Sequence, residues 1–136
     1  MTFIPVGECE SGCLSSLFLA DLGERMQNQV LAAGPLPRVD VVKVAHHGSA
    51  DQSATLYQKA HATVGVIGVG ADNGYGHPTG TLLDILTATG TVAARTDTMG
   101  LILLSPGEAR GSGAARGSVA LRGSVALWSE SDGTAD

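Results

Sequence analysis

The chain has 136 residues, of which 43% are hydrophobic, 15% charged and 4% aromatic, a length that suits about one domain. Apolar content this high at a net charge of −5 excludes a disordered polyampholyte, and eight Lys+Arg against thirteen Asp+Glu leave no long-range positive field to draw in a nucleic acid. No stretch reaches the roughly 18 apolar residues of a membrane helix, and Met1 to Pro5 lacks the basic and apolar regions of a signal peptide, so the chain is expected to be soluble.

Cys9 and Cys13 come first in chain order. Their Cys-Glu-Ser-Gly-Cys spacing allows a small disulfide-closed loop, half of a zinc site or two free thiols. No second Cys pair or His-x3-His completes a zinc site, and a disulfide, which implies an oxidising compartment, is favoured over free thiols. Leu17-Phe18-Leu19 is a short buried run that ends at Asp21. From Leu22 to Ala33 the spacing predicts a helix with Leu22, Met26, Val30 and Ala33 on one face, stopped by Gly34-Pro35-Leu36-Pro37.

Val39 to Ala45 is rich in β-branched residues and predicts a strand that delivers His46-His47-Gly48-Ser49 at its end. Ser53 to Ala60 reads as a short helix capped by Ser53, and Thr63 to Val69 as a second apolar strand. A Gly/Asn-rich loop, Gly70 to Pro78, then leads into a helix from Thr79 to Thr89 that ends at Gly90. Thr91 to Arg95 and Leu101 to Leu104 are two further strands. The repeated strand, loop and helix order predicts a layered α/β fold with its functional groups on loops at the carboxyl ends of strands. From Gly107 the composition shifts to Ala, Gly, Ser and Arg, and Arg-Gly-Ser-Val-Ala-Leu occurs in tandem at Arg116 to Leu121 and Arg122 to Leu127. This reads as a low-complexity tail expected to be disordered, with a weak added hairpin as the alternative.

Three of the four histidines, His46, His47 and His77, fall in the two strand-to-helix loops. At a strand end an imidazole is available to a metal, Gly48 permits close backbone approach, and Ser49 can bind an anion; the plain alternative is a turn with histidines on nearby carbonyls. Asp21, where a buried strand opens, is a carboxylate of the kind Zn²⁺ or Mn²⁺ accepts. It equally suits a helix N-cap, with Glu24 closing a capping box. His77, in Asp72-Asn73-Gly74-Tyr75-Gly76-His77-Pro78, is either part of a turn or a group for phosphate binding or acid–base work at the start of the next helix. His61 stands alone and reads as a surface residue.

Taken in order, Leu17 to Glu24, Val39 to Ser49, Gly70 to Pro78 and Arg95-Thr96-Asp97 resemble the C-terminal metallo-β-lactamase-like domain of ComEC-type competence proteins, over about Leu14 to Ser105. The resemblance implies a domain of a membrane protein for uptake of transforming DNA, acting as a metal-dependent nuclease with two ions that activate a water. It implies a divalent metal, Zn or Mn, with Asp21 and His47 as ligands, His77 as the catalytic histidine of Tyr-Gly-His-Pro, and His46, Ser49 and Tyr75 as supports or substrate contacts. Ala20 stands where the family usually has a glycine.

The family's His-x-His-x-Asp-His motif is absent from the chain. The resemblance therefore covers the second half of an αβ/βα sandwich, residues 1–106, followed by the tail, residues 107–136. A second half taken alone is expected to leave one face of its sheet uncovered and to be inactive. The implied partners are single-stranded or transforming DNA, the missing N-terminal half and the membrane channel of the intact protein, with this domain outside the cytoplasm. The alternative is a non-catalytic structural or interaction half-domain.

Overall fold

The structure, a computed structural model, describes residues 1–3, 12–107, 118–122 and 125–131. Strands β1 (Thr2–Phe3), β2 (Ser16–Phe18), β3 (Val41–Lys43), β4 (Val64–Ile67) and β5 (Val92–Arg95) form one sheet in chain order. β1 is antiparallel to β2, and β2 to β5 are parallel. Helices α1 (Glu24–Ala33), α2 (Ala54–Ala60) and α3 (Gly80–Ala88) are the crossovers. A short helix α4 (Thr96–Met99) then leads to β6 (Ile102–Pro106), β7 (Ser118–Arg122) and β8 (Val125–Ser129), which make a second, antiparallel sheet in the order β6-β8-β7. The α/β class expected from the sequence is the one observed.

The register puts Leu17, Val42, Gly65 and Ala93 on one rung of the parallel sheet. That face carries the main core, in which Leu17, Leu19, Val42, Val44 and Ile67 pack against Leu56, Tyr57 and Ala60 of α2 and Leu82 and Leu86 of α3. Three helices thus share one face, as same-handed crossovers between sequential parallel strands require. The opposite face is graded. On the rung Phe18-Lys43-Val66-Ala94, Ala94 is fully buried, Val66 and Lys43 are half-buried, and Phe18 is 47% exposed. Val125 and Leu127 of β8, with Ile102 and Leu104 of β6, cover Val64, Val66 and Ala94.

Two expectations are corrected here. The second face of the sheet is not left bare: the β6-β8-β7 sheet closes it over β4 and β5, because alternate residues of β8 are apolar and face inward. The reading of 107–136 as disordered fails for 118–122 and 125–129. The tandem repeat folds back on itself as the hairpin given as the alternative, with Val119 opposite Trp128 and Leu121 opposite Ala126. The rest of the tail lies outside the described residues.

The face of α1 is the third correction. Met26 and Val30 are 46% and 40% exposed, and the buried position of the helix is Gln27. Its side chain donates to the Leu22 carbonyl (2.6 Å) and to Gln52 Oε1 (2.8 Å) and accepts from the Ser53 amide (2.8 Å). Gln52 donates in turn to the Ala45 carbonyl (3.0 Å), and Tyr57 donates to Gln52 Oε1 (2.8 Å). A buried amide with its hydrogen bonds made holds α1 against α2 as firmly as an apolar contact, and fixes one register. Ser53 starts α2 without capping it; its hydroxyl donates to Asn28 Oδ1 (2.6 Å).

Candidate functional site

Both histidine-bearing loops open at the carboxyl end of the parallel sheet. After β3 the chain turns tightly over Ala45–Gly48, where His46, His47 and Gly48 all have positive φ (46°, 52° and 91°). Two non-glycine residues in the left-handed region carry a conformational cost of order 1 kcal/mol each. The surroundings enforce the turn. The His46 amide donates to the Ala20 carbonyl (2.9 Å), itself in a left-handed residue (φ 50°). The Gly48 carbonyl accepts from the Thr79 amide (2.9 Å) and hydroxyl (3.1 Å) at the start of α3. A Cβ on Gly48 would stand 2.6 Å from Pro78 Cβ, so the two loops touch with no room for a side chain.

The turn aims His47. Its Nδ1 lies 2.6 Å from the Gly68 carbonyl at the end of β4. A carbonyl only accepts, so Nδ1 carries the proton, which leaves Nε2 as the ring nitrogen able to offer a lone pair. That arrangement, one ring nitrogen donating to a backbone carbonyl and the other free, is the one in which histidine ligates metals.

Asp21 is exposed and is not a helix cap. The N-cap of α1 is Gly23, and the carboxylate that accepts from the Glu24 amide (3.1 Å) belongs to Asp51. The charge of Asp21 is felt by Lys43, whose ammonium burial holds below its ordinary pKa while Asp21 pulls it partly back. Lys43 Nζ donates to the Val44 carbonyl (3.1 Å), and a Cβ on Gly68 would stand 3.6 Å from Lys43 Cε. Lys43 thus senses the charge of Asp21 and lies beside Gly68, whose carbonyl orients His47.

The 70–78 loop is built around Asn73, which donates to the Gly70 and His77 carbonyls (3.1 and 2.9 Å) and accepts from the His77 amide (3.1 Å). Its base is clamped by Thr96, whose hydroxyl accepts from the Val69 amide (2.8 Å) and donates to the Val69 carbonyl (2.7 Å). Arg95 and Asp97 flank the clamp as an ion pair, Nη2 to Oδ2 2.5 Å, which lowers the Asp97 pKa and raises that of Arg95. His77 Nδ1 is buried and has no hydrogen-bond partner among the described residues.

Of the residues singled out in the sequence, the structure brings His46, His47, Tyr75 and His77 together. The ring centroids are 6.5 Å apart for His46–His47, 6.1 Å for His46–His77 and 6.3 Å for the stacked pair Tyr75–His77. His47, Gly68, Val69, Gly70, Asn73, Tyr75 and His77 line a cleft of about 320 Å³. Ser49 is buried, and its hydroxyl accepts from Gln52 Nε2 (3.4 Å) inside the fold. Cys13 is disulfide-bonded, and Cys9 lies outside the described residues. Sequence reasoning missed Gly68, Asn73, Thr96 and Lys43. Only Lys43, a charge inside an apolar strand, carried a signal in the sequence.

The divalent metal implied by the resemblance meets a partial fit. The free Nε2 of His47 suits a ligand, but among the described residues no three His, Cys, Asp or Glu side chains come together to hold an ion. As they stand, these residues do not make a metal holder. Among the described residues no helix is long and apolar enough to cross a membrane.

No family model matches the chain, and no solved structure matches it. It is similar to ComE operon protein 3 of Bacillus subtilis (strain 168), with 31% identity over 94 residues, which are 68% of this chain and 12% of that protein. The chain thus spans about an eighth of the length of the curated relative it matches, as a mixed α/β unit whose histidine loops meet at the carboxyl end of the parallel sheet.

Proposed function

We propose that the chain is the second half of a metallo-β-lactamase-like hydrolase domain that acts on DNA phosphodiesters during DNA uptake. Asp21 and His47 are its donors to a divalent metal, and His77 is its acid–base group. The orientation of His47 carries the reading: a strained turn, locked by Gly48 and Thr79, serves to present one free imidazole nitrogen beside the cleft. The likeness to a ComE operon protein supports the link to DNA uptake. The two donors complete a site only with ligands from a first half that carries His-x-His-x-Asp-His, so the chain alone turns nothing over.

Mn²⁺ titrated into isotopically labelled chain is expected to broaden the NMR signals around Asp21 and His47 first, and Asp21→Asn with His47→Gln to abolish the effect. First broadening elsewhere overturns the assignment. Turnover of single-stranded DNA by the chain alone, lost in Asp21→Ala, overturns the need for a first half. A second reading, a non-catalytic half-domain that packs on a partner, is favoured by the missing third ligand. An upstream coding sequence without the histidine motif would decide for it.

A further inference from the structure

Tyr75 is 86% exposed at the mouth of the cleft, its ring near-parallel to that of His77 at an interplanar angle of 18°. The phenol therefore offers open ring surface to solvent beside the imidazole. Nothing crowds the approach: a Cβ added to Gly70, Gly74 or Gly76 would meet no atom within 4 Å. The backbone beneath is fixed by Asn73 and Thr96, so the ring stands on a held loop. His46 packs edge-on to the other histidines, so four rings run from Tyr75 through His77 and His46 to His47.

We propose that Tyr75 is a stacking platform for a base of single-stranded DNA, which seats one nucleotide with its base at the cleft mouth and its phosphate toward His47. This inference rests on the hydrolase reading and adds to it how the strand is held. The cleft, at about 320 Å³, falls in the range of small-ligand sites. A chain with a net charge of −5 cannot hold DNA by a general positive field, so contacts to bases must contribute. An exposed aromatic face suits any base, which matches a site that takes strands without regard to sequence.

The test is binding without metal, read by fluorescence anisotropy of a labelled oligothymidylate and of an abasic strand of equal length. Tyr75→Ala is expected to weaken oligothymidylate binding about tenfold or more, and Tyr75→Phe to retain it. The abasic strand should bind the unaltered chain as weakly as oligothymidylate binds Tyr75→Ala, and lose nothing further in that variant. Equal binding by Tyr75→Ala and the unaltered chain, equal binding of the two strands, or no binding of either strand overturns the platform. The Mn²⁺ titration fails separately. Loss of thymidylate binding in Tyr75→Ala without broadening at Asp21 and His47 keeps the platform and removes the hydrolase reading; broadening there with unchanged binding by Tyr75→Ala does the reverse.

Discussion

The two loops that form the cleft are held in opposite ways. The His46–Ser49 turn is over-determined: its backbone sits at positive φ, its glycine is pressed on Pro78, and Gln52 and Thr79 fasten it from below and beside. The 70–78 loop is held from within by one side chain, Asn73, and leaves Tyr75 almost fully in solvent. Strain is concentrated where His47 is aimed, and the side of the cleft that carries Tyr75 is left open to solvent. The difference is sharpest at two glycines, Gly48 and Gly76, both of positive φ, one with protein at 2.6 Å from a built Cβ and the other with nothing within 4 Å.

Replacing each by alanine separates crowding from conformation. Gly48→Ala should cost about 3 kcal/mol or more, the sum of overpacking against Pro78 and a left-handed alanine, whereas Gly76→Ala should cost only the conformational part, about 1 kcal/mol. Urea denaturation of both variants reads the two values, and equal losses would erase the distinction. Asn73→Ala removes three hydrogen bonds from a partly exposed loop and should cost about 1–2 kcal/mol. It should also broaden the Tyr75 ring signals while leaving those of His47 sharp.

In sequence the strands and helices of the parallel sheet were legible because β-branched runs and Gly/Pro stops mark them. The gathering of His46, His47 and His77 was legible because each follows a strand. What escaped had a physical reason in each case. Gln27 looks like a surface residue until Gln52 and Ser53 are seen beside it. Gly68 acts through its carbonyl, which no side chain announces. Asp21 was open between ligand and helix cap, and only the position of Asp51 shows that the cap is supplied from another loop. Val125 to Ser129 alternates in burial but not in residue type, since Ala126 and Trp128 are as apolar as the inward Val125 and Leu127, so no period marks the strand.

Two smaller effects refine the contrast. Ala20 holds φ 50° under the His46 amide, where the resembled family has glycine, so Ala20→Gly should stabilise the chain by up to about 1 kcal/mol, seen as a raised melting temperature. Asp97 has its pKa lowered from 3.8 by Arg95, so its contribution is fully present above about pH 4 and fades as the pH falls through the folded value. The pair is partly exposed, so the contribution is under about 1 kcal/mol. Asp97→Asn should remove that part of the acid dependence in a pH series of denaturation curves, and an unchanged slope would show that the Arg95 pair does not steady the Thr96 clamp.

The order of the second sheet bears on how the chain is born. Its middle strand, β8, follows both of its neighbours in sequence, and β6 and β7 pair with it and not with each other. While the ribosome is still extending the chain, β4 and β5 can already lie beside β3, yet Val64, Val66 and Ala94 wait for Val125 and Leu127 to emerge. Until then a nascent chain carries an apolar strip on a formed sheet, the situation in which chaperones bind and neighbouring copies aggregate. A stop codon placed just before Val125 would make that transient exposure permanent.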